Sequence, residues 1–368
     1  MKRKLILATA LVCIFYVPFC FAAESPGTGK SVSALPSVSV PILGKLLKIP
    51  AGTFQQGSPN SEACRESDEG PQFAHTIGQS LLVMETEVTR QMWADLKKDQ
   101  PSLGDDPSDY STTYNGTTPV KYLKWYQAIL FANLISSNQQ LNRCYFRDSG
   151  FTQPVVDAST SPVYCNFSAD GYRLPSEGEW EYLARATTAM PYSTVESGPW
   201  ANYCSSVPFC SDLPALNARA IFSCLFTTSR SLVFRKKPVS LPDIGGQGKA
   251  ASPWQSLRPQ GDYTEPQPVG GSRTANDWEL KDTMGNVAEF CWDIYASAYP
   301  SGPVTDYRGP TTSSNTARTA RGGSYTSTPG KLRLSYRRDI EPDLESMDVG
   351  FRLVRNPSSR IFLPLLLR

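Results

Sequence analysis

"GYRLPSEGEWEYLARATT", Gly171 to Thr188, is the clearest folded element in the chain. Ser176 and Glu179 have the S-x-x-E spacing of a capping box, in which each side chain satisfies the other residue's amide, so a helix should start at Glu177. Trp180, Leu183 and Ala184 make an apolar stripe that must face a core. Glu177, Glu179 and Glu181 read as cap and surface groups rather than acid/base catalysts. Outward from this helix the pattern is mostly short strands. "LLKIPAGTFQQGS" reads as a strand turning at Ala51-Gly52 into a second one with Phe54, and "FAHTIGQSLLVMETEVT" as a strand. "RQMWADLKK", capped by Thr89, puts Met92, Trp93 and Leu96 on one helical side. "PVKYLKWYQAILFANLISS" gives a strand and then a helix with Trp125, Ile129, Ala132 and Ile135 in register. "DVGFRLVR" closes as a strand. Thirty prolines are spread over 368 residues, which argues for a loop-rich α+β fold with few long helices.

Residues 1–22 pair a basic start with an apolar run and small residues at Ala22 and Ala23, the pattern of a secretory signal peptide. Residues 23–42 read as a small-residue linker and 43–356 as one domain, with 207–260 as an irregular insertion. The apolar tail 357–368 is too short to span a bilayer and is broken by Pro364. Export implies a periplasmic or extracellular location and an oxidising compartment. A formal net charge of +2 gives no bulk attraction to nucleic acid. No transmembrane span is expected after removal of the leader, and a monomer is expected.

Of nine cysteines, seven lie beyond the leader, and none forms a CxxC. Cys144 and Cys165 flank one excursion and could staple a hairpin; Cys204 and Cys210 could close a small loop. Spacing alone does not fix such connectivity. Cys291, amid aromatics, reads as a buried thiol. The single histidine, His75, removes His-rich metal sites and leaves little for a His-based nucleophile; it reads as structural.

Seven stretches occur in order: "IPAGTFQQGS", "METEVTRQMW", "PVKYLKWYQAILFAN", "GYRLPSEGEWEYLARA", "DTMGNVAEFCWD", "RGGSY" and "VGFRLVR". Together they resemble the formylglycine-generating enzyme, or sulfatase-modifying factor, family from about Leu43 to Arg355. The resemblance implies a C-type-lectin-related fold of twisted antiparallel strands, few helices and much irregular structure. It also implies a Ca²⁺ site at "DTMGNVAEF", with Asp282 and Glu289 side chains and the Gly285 and Val287 carbonyls as ligands. Such oxygens suit a hard cation. A second calcium site would begin at Asn202, with Asp262 one candidate partner.

The family's oxidases carry two cysteines in the loop after RGGS, which hold Cu(I) and activate oxygen. The matching positions here are Ser327 and Leu332, and no cysteine follows Cys291. Copper is therefore not expected, and no catalytic residue is assigned. In "RGGSYTSTPGKLRLSYRR", Leu332, Leu334 and Tyr336 alternate with Arg333, Ser335 and Arg337 as the two faces of a strand. Arg321, Ser324, Tyr325, Arg333, Tyr336, Arg337 and Arg338 could meet an anionic or peptide-like ligand. The expectation is an exported, non-oxidase binding or accessory module for a peptide or small molecule. The alternative is an oxidoreductase with a rearranged site, of the formylglycine-generating or pigment-maturation type, and a surface-associated interaction protein is a third class.

Overall fold

The capped helix begins where its spacing places it. A computed structural model describes residues 35–108, 115–160, 162–192, 204, 220–222, 265–311 and 315–357. In it, α3 (Glu177–Arg185) has Ser176 Oγ accepting the Glu179 amide at 3.2 Å, while the Glu179 carboxylate accepts the Ser176 amide at 2.8 Å. The reciprocal pair satisfies two donors that a helix start would otherwise leave orphaned. Thr89 caps α1 (Arg90–Asp99) in the same manner, accepting from the Met92 amide. The third helix among the described residues is α2 (Trp125–Asn138), which is apolar nearly all round and correspondingly buried. Trp93 stacks on Phe131 at 5.4 Å, and Phe131 meets Phe351 edge-on, joining α1, α2 and the closing segment in the largest core cluster.

The strands are short. β1 (Ser37–Val40), β2 (Gly44–Ile49), β5 (Leu81–Met84), β14 (Val354–Arg355) and β8 (Tyr172–Arg173) form an antiparallel sheet in that order. β3 (Gly52–Gln56) and β4 (Phe73–Ile77) pair antiparallel, with β10 (Val304–Thr305) added parallel to β4. β6 (Tyr145–Phe146) and β7 (Tyr164–Cys165) make a small hairpin pairing. The sheet that matters for the site has the order β12 (Arg337–Ile340), β11 (Arg318–Arg321), β9 (Ala288–Ile294), β13 (Val349–Gly350). Arg321 sits opposite Arg337 on one side and Glu289 on the other, so β11 delivers its following loop between two walls.

Several expectations need correction. The linker reading to residue 42 fails at its end, because Ser37–Val40 pairs with Gly44–Leu47 as β1. "FAHTIGQSLLVM" is two strands in different sheets, broken at Gly78–Ser80. Residues 332–336 are not a strand: Pro329–Leu332 is a 3₁₀ turn, and β12 starts only at Arg337. Proline at the front of that turn supplies its fixed φ without losing a needed donor. Ala220–Phe222, inside the stretch read as an insertion, is buried, and Ile221 bridges Gly285. Gly285 must be glycine there, since a Cβ would lie 2.0 Å from the Ile221 carbonyl oxygen. The leader, the apolar tail, Asn202, Cys210, Asp262 and the rest of 207–260 lie outside the described residues.

Candidate functional site

The arginines of the 321–338 segment turn inward. Arg321 is fully buried and donates to the Ser335, Tyr336 and Leu334 carbonyls at 2.9, 2.6 and 2.8 Å, and to Glu181. Arg337 grips Glu177 with two bonds of 2.6 and 2.8 Å and donates to the Asp68 and Ala296 carbonyls. Arg333 reaches Glu62 and Glu69 and the Cys64 carbonyl. Burial pushes Glu177 and Glu69 up, but the facing guanidiniums outweigh it and hold both carboxyls below the ordinary range. Three of the four arginines expected to meet a ligand, Arg321, Arg333 and Arg337, are therefore committed to the interior. Glu177, Glu179 and Glu181 are buried ion-pair partners of Arg337, Arg173 and Arg321, and not surface groups.

This interior lattice fixes a loop with a different chemistry at its surface. After β11, Gly322 and Gly323 take φ of 92° and 64°, and a Cβ on Gly323 would meet the Lys331 carbonyl oxygen at 2.5 Å. The turn then folds on its own hydroxyls. The Ser324 amide donates to Ser327 Oγ at 3.0 Å, and the Ser327 amide donates back to the Ser324 carbonyl. Ser324 Oγ and Thr326 Oγ1 both donate to Asp348 Oδ2, at 2.8 and 3.0 Å. Asp348 also takes Ser346 Oγ at 2.7 Å and the Arg338 guanidinium at 2.9 and 3.0 Å. Burial pushes its carboxyl up, yet Arg338 and the hydroxyls outweigh that and hold it below its ordinary value. Between this turn, the 3₁₀ turn and the start of β12 lies a cleft of about 340 Å³, with Ser327, Lys331, Tyr336, Arg338 and Asp348 in its walls.

Of the expected ligand residues, the cleft is lined by Tyr336 and Arg338, while Ser324 stands behind it, bonded to Asp348. Tyr325 is buried, with its hydroxyl aimed at the Met347 carbonyl. Lys331 and Asp348 were missed by sequence reasoning. The signals that could have found them are the hydroxyl-rich run Ser324–Thr328 and the aspartate opening "DVGFRLVR". The two positions that match the family cysteines part company. Ser327 caps its own turn at the cleft, whereas Leu332 is sealed in an apolar cluster with Trp180, Met284, Cys291 and Leu334. Burial pushes the Cys291 thiol well up, so it stays protonated and inert.

Sulfur does reach the back of this loop by another route. Cys64 and Cys204 form a disulfide, with Cα atoms 5.1 Å apart across 140 residues. The Cys204 carbonyl accepts Thr328 Oγ1 at 3.2 Å, and the Cys64 carbonyl accepts Arg333. The pairing of Cys204 with Cys210 is thereby overturned. Cys144 and Cys165 are free thiols, although β6 and β7 bring them close together. His75 is buried between Phe54 and Phe73, donating from Nδ1 to Gln56 at 2.6 Å and accepting the Tyr307 amide at Nε2.

The loop expected to hold calcium is a tight turn with Asp282, Gly285 and Asn286 at positive φ. Asp282 accepts the Gly270 amide and the Arg273 guanidinium. Both oxygens of Glu289 take Arg352 at 2.6 Å, and one also takes the Trp180 indole N–H at 2.8 Å. A Ca²⁺ ion would have to displace two guanidiniums, so these side chains as arranged do not make an open oxygen cage.

Residues 35–223 and 228–357 match the family model described as the sulfatase-modifying factor enzyme 1-like domain. The chaperone protein LppX of Paenibacillus barcinonensis is 26% identical over 274 residues, 73% of this chain and 78% of that protein. A formylglycine-generating enzyme of Thermomonospora curvata is 25% identical over 328 residues, covering 85% of this chain and 93% of the enzyme. Among solved structures, Treponema denticola variable protein 1 aligns with a TM-score of 0.59 at 24% identity, covering 85% of this chain and 95% of that one, a likeness of fold.

Proposed function

Since this chain belongs to the sulfatase-modifying factor enzyme 1-like family, we propose that it is a member used for binding rather than for oxidation, an accessory module whose ligand sits in the cleft between Gly323 and Asp348. One observation carries the reading: at the two positions where family oxidases place their thiols, this chain puts a turn-capping hydroxyl, Ser327, and a core leucine, Leu332. Neither can hold Cu(I), a soft ion that requires soft donors. The relative named as a chaperone protein supports an accessory role. The Cys64–Cys204 bond supports export to an oxidising compartment.

A second reading is an oxidoreductase with a rearranged site. It is favoured by the near full-length similarity to a formylglycine-generating enzyme and by the cysteine pair behind the loop. One assay separates the two. Oxygen consumption is followed with a cysteine-containing peptide, alongside Cu(I) titration of the reduced and oxidised protein. The binding reading expects no turnover and no stoichiometric copper; turnover with copper bound one-to-one would replace it with the second.

A further inference from the structure

The cleft has an electrostatic asymmetry that its surroundings do not share. Around the 321–338 segment, Arg321, Arg333 and Arg337 each face buried carboxylates. In the cleft wall itself two cations face a single carboxylate, and that carboxylate, Asp348, already accepts three hydroxyls and a guanidinium. Lys331 is exposed, and its ammonium has no hydrogen bond or ion pair among the described residues; it lies over the Tyr336 ring, with Nζ 5.9 Å from the centroid. Exposed Glu66 feels this ammonium but forms no ion pair with it. Tyr336 lines the cleft and is 8% exposed, and its hydroxyl has no partner among the described residues. Arg338 spends Nη1 on Asp348 and reaches Ser346 Oγ from Nη2 only at 3.5 Å, and its side chain remains 35% exposed.

We propose that this cleft takes an oxyanion, a carboxylate or phosphate group on the ligand, held by the Lys331 ammonium, the Tyr336 hydroxyl and the exposed part of the Arg338 guanidinium. This deepens the binding-module reading and rests on it. The chemistry is an unmatched positive charge beside a donor with nothing to donate to, and an anion supplies both needs. Asp348 does not compete, because its four donors fix its lone pairs away from an incoming ligand. The volume, about 340 Å³, accommodates a small anion with part of the molecule that carries it. Charge-assisted bonds from ammonium and guanidinium are the stronger kind, so Lys331 should carry the largest single share.

The test titrates the full chain with sodium phosphate, with sodium acetate and with a short uncharged amidated peptide, read by calorimetry and NMR line shifts. Lys331→Gln should weaken phosphate or acetate binding by about ten-fold, and Tyr336→Phe by about three- to five-fold. Lys48→Gln, an exposed lysine on β2, should change nothing. Phosphate alone, acetate alone or both would support the proposal and identify the ligand class. Equal binding by wild type and Lys331→Gln overturns it, as does saturable binding of the neutral peptide at Tyr336 with no response to either anion. That last result leaves the module reading standing. If no probe binds and the protein oxidises thiols, both fall.

Discussion

Arg321→Lys tests whether this arginine builds the fold or serves the ligand. Two guanidinium nitrogens reach three backbone carbonyls, those of Leu334, Ser335 and Tyr336, together with Glu181. A lysine keeps the charge near Glu181, but a single ammonium cannot occupy both nitrogen positions of the fork. At least two carbonyls would lose their donor. Each buried acceptor left unpaired costs about 1–3 kcal/mol, so the expected loss is about 3 kcal/mol. A domain of roughly 320 residues unfolds with an entropy of about 0.7 kcal/mol/K, which converts that loss into a fall in Tm of about 4–5 °C. Differential scanning calorimetry and urea unfolding would measure it. Anion binding per folded molecule should fall as well, because the carbonyls of 334–336 hold Tyr336 in place. A change in stability below about 0.5 kcal/mol would refute the structural assignment. So would lost binding at unchanged Tm, which would return Arg321 to the ligand.

Three further outcomes are expected. Replacing Cys64 and Cys204 with alanine opens a closed loop of 140 residues; the chain-entropy relation sets an upper bound of about 5 kcal/mol, and a fall in Tm matched by reductant on the wild type would confirm the bond. Glu87 is pushed well up first by burial and then by the Asp282 and Glu289 charges, so wild-type stability should fall as pH climbs from the ordinary carboxylate range towards that raised value. Glu87→Gln mimics the protonated form and should flatten the slope above the ordinary carboxylate range; an unchanged slope in thermal melts would show that Glu87 is not its source. Millimolar Ca²⁺ or a chelator should move Tm by less than about 1 °C, because Arg273 and Arg352 already answer the loop carboxylates; a rise of several degrees would restore calcium to Asp282 and Glu289.

Local signals were legible wherever a few neighbouring residues settle the outcome. The Ser176–Glu179 box and the Thr89 cap each specify a conformation without help from the rest of the chain. Partners separated by hundreds of residues were not. Alternation in 332–336 suggested a strand with one wet face, since arginine is usually exposed. The interior instead supplies Glu62 and Glu69 to Arg333 and Glu177 to Arg337, and it draws Ser335 in as well. The same long-range matching hides Glu177 and Glu181 of helix α3 and joins Cys64 to Cys204. No count of spacing reveals such pairs, because the register that creates them is set by β11 between β9 and β12.

That distribution of roles also explains how this chain can lack the two cysteines and still keep the cleft. Loop position is fixed by Arg321 on the 334–336 carbonyls, by Arg333 on the Gly330 and Cys64 carbonyls, and by Asp348 on the hydroxyls of Ser324 and Thr326. None of these bonds uses the side chain of residue 327 or 332 as its anchor. Ser327 bonds only within its own turn, to the Ser324 amide and hydroxyl, and Leu332 adds apolar burial to the cluster around Trp180. The scaffold thus stands independently of the positions that would carry redox chemistry, and the leucine even strengthens the packing beneath. A family fold in which the metal-binding groups are not structural can exchange its chemistry without losing its shape. What is left at the surface is what the interior did not consume, namely Lys331 and the hydroxyl of Tyr336.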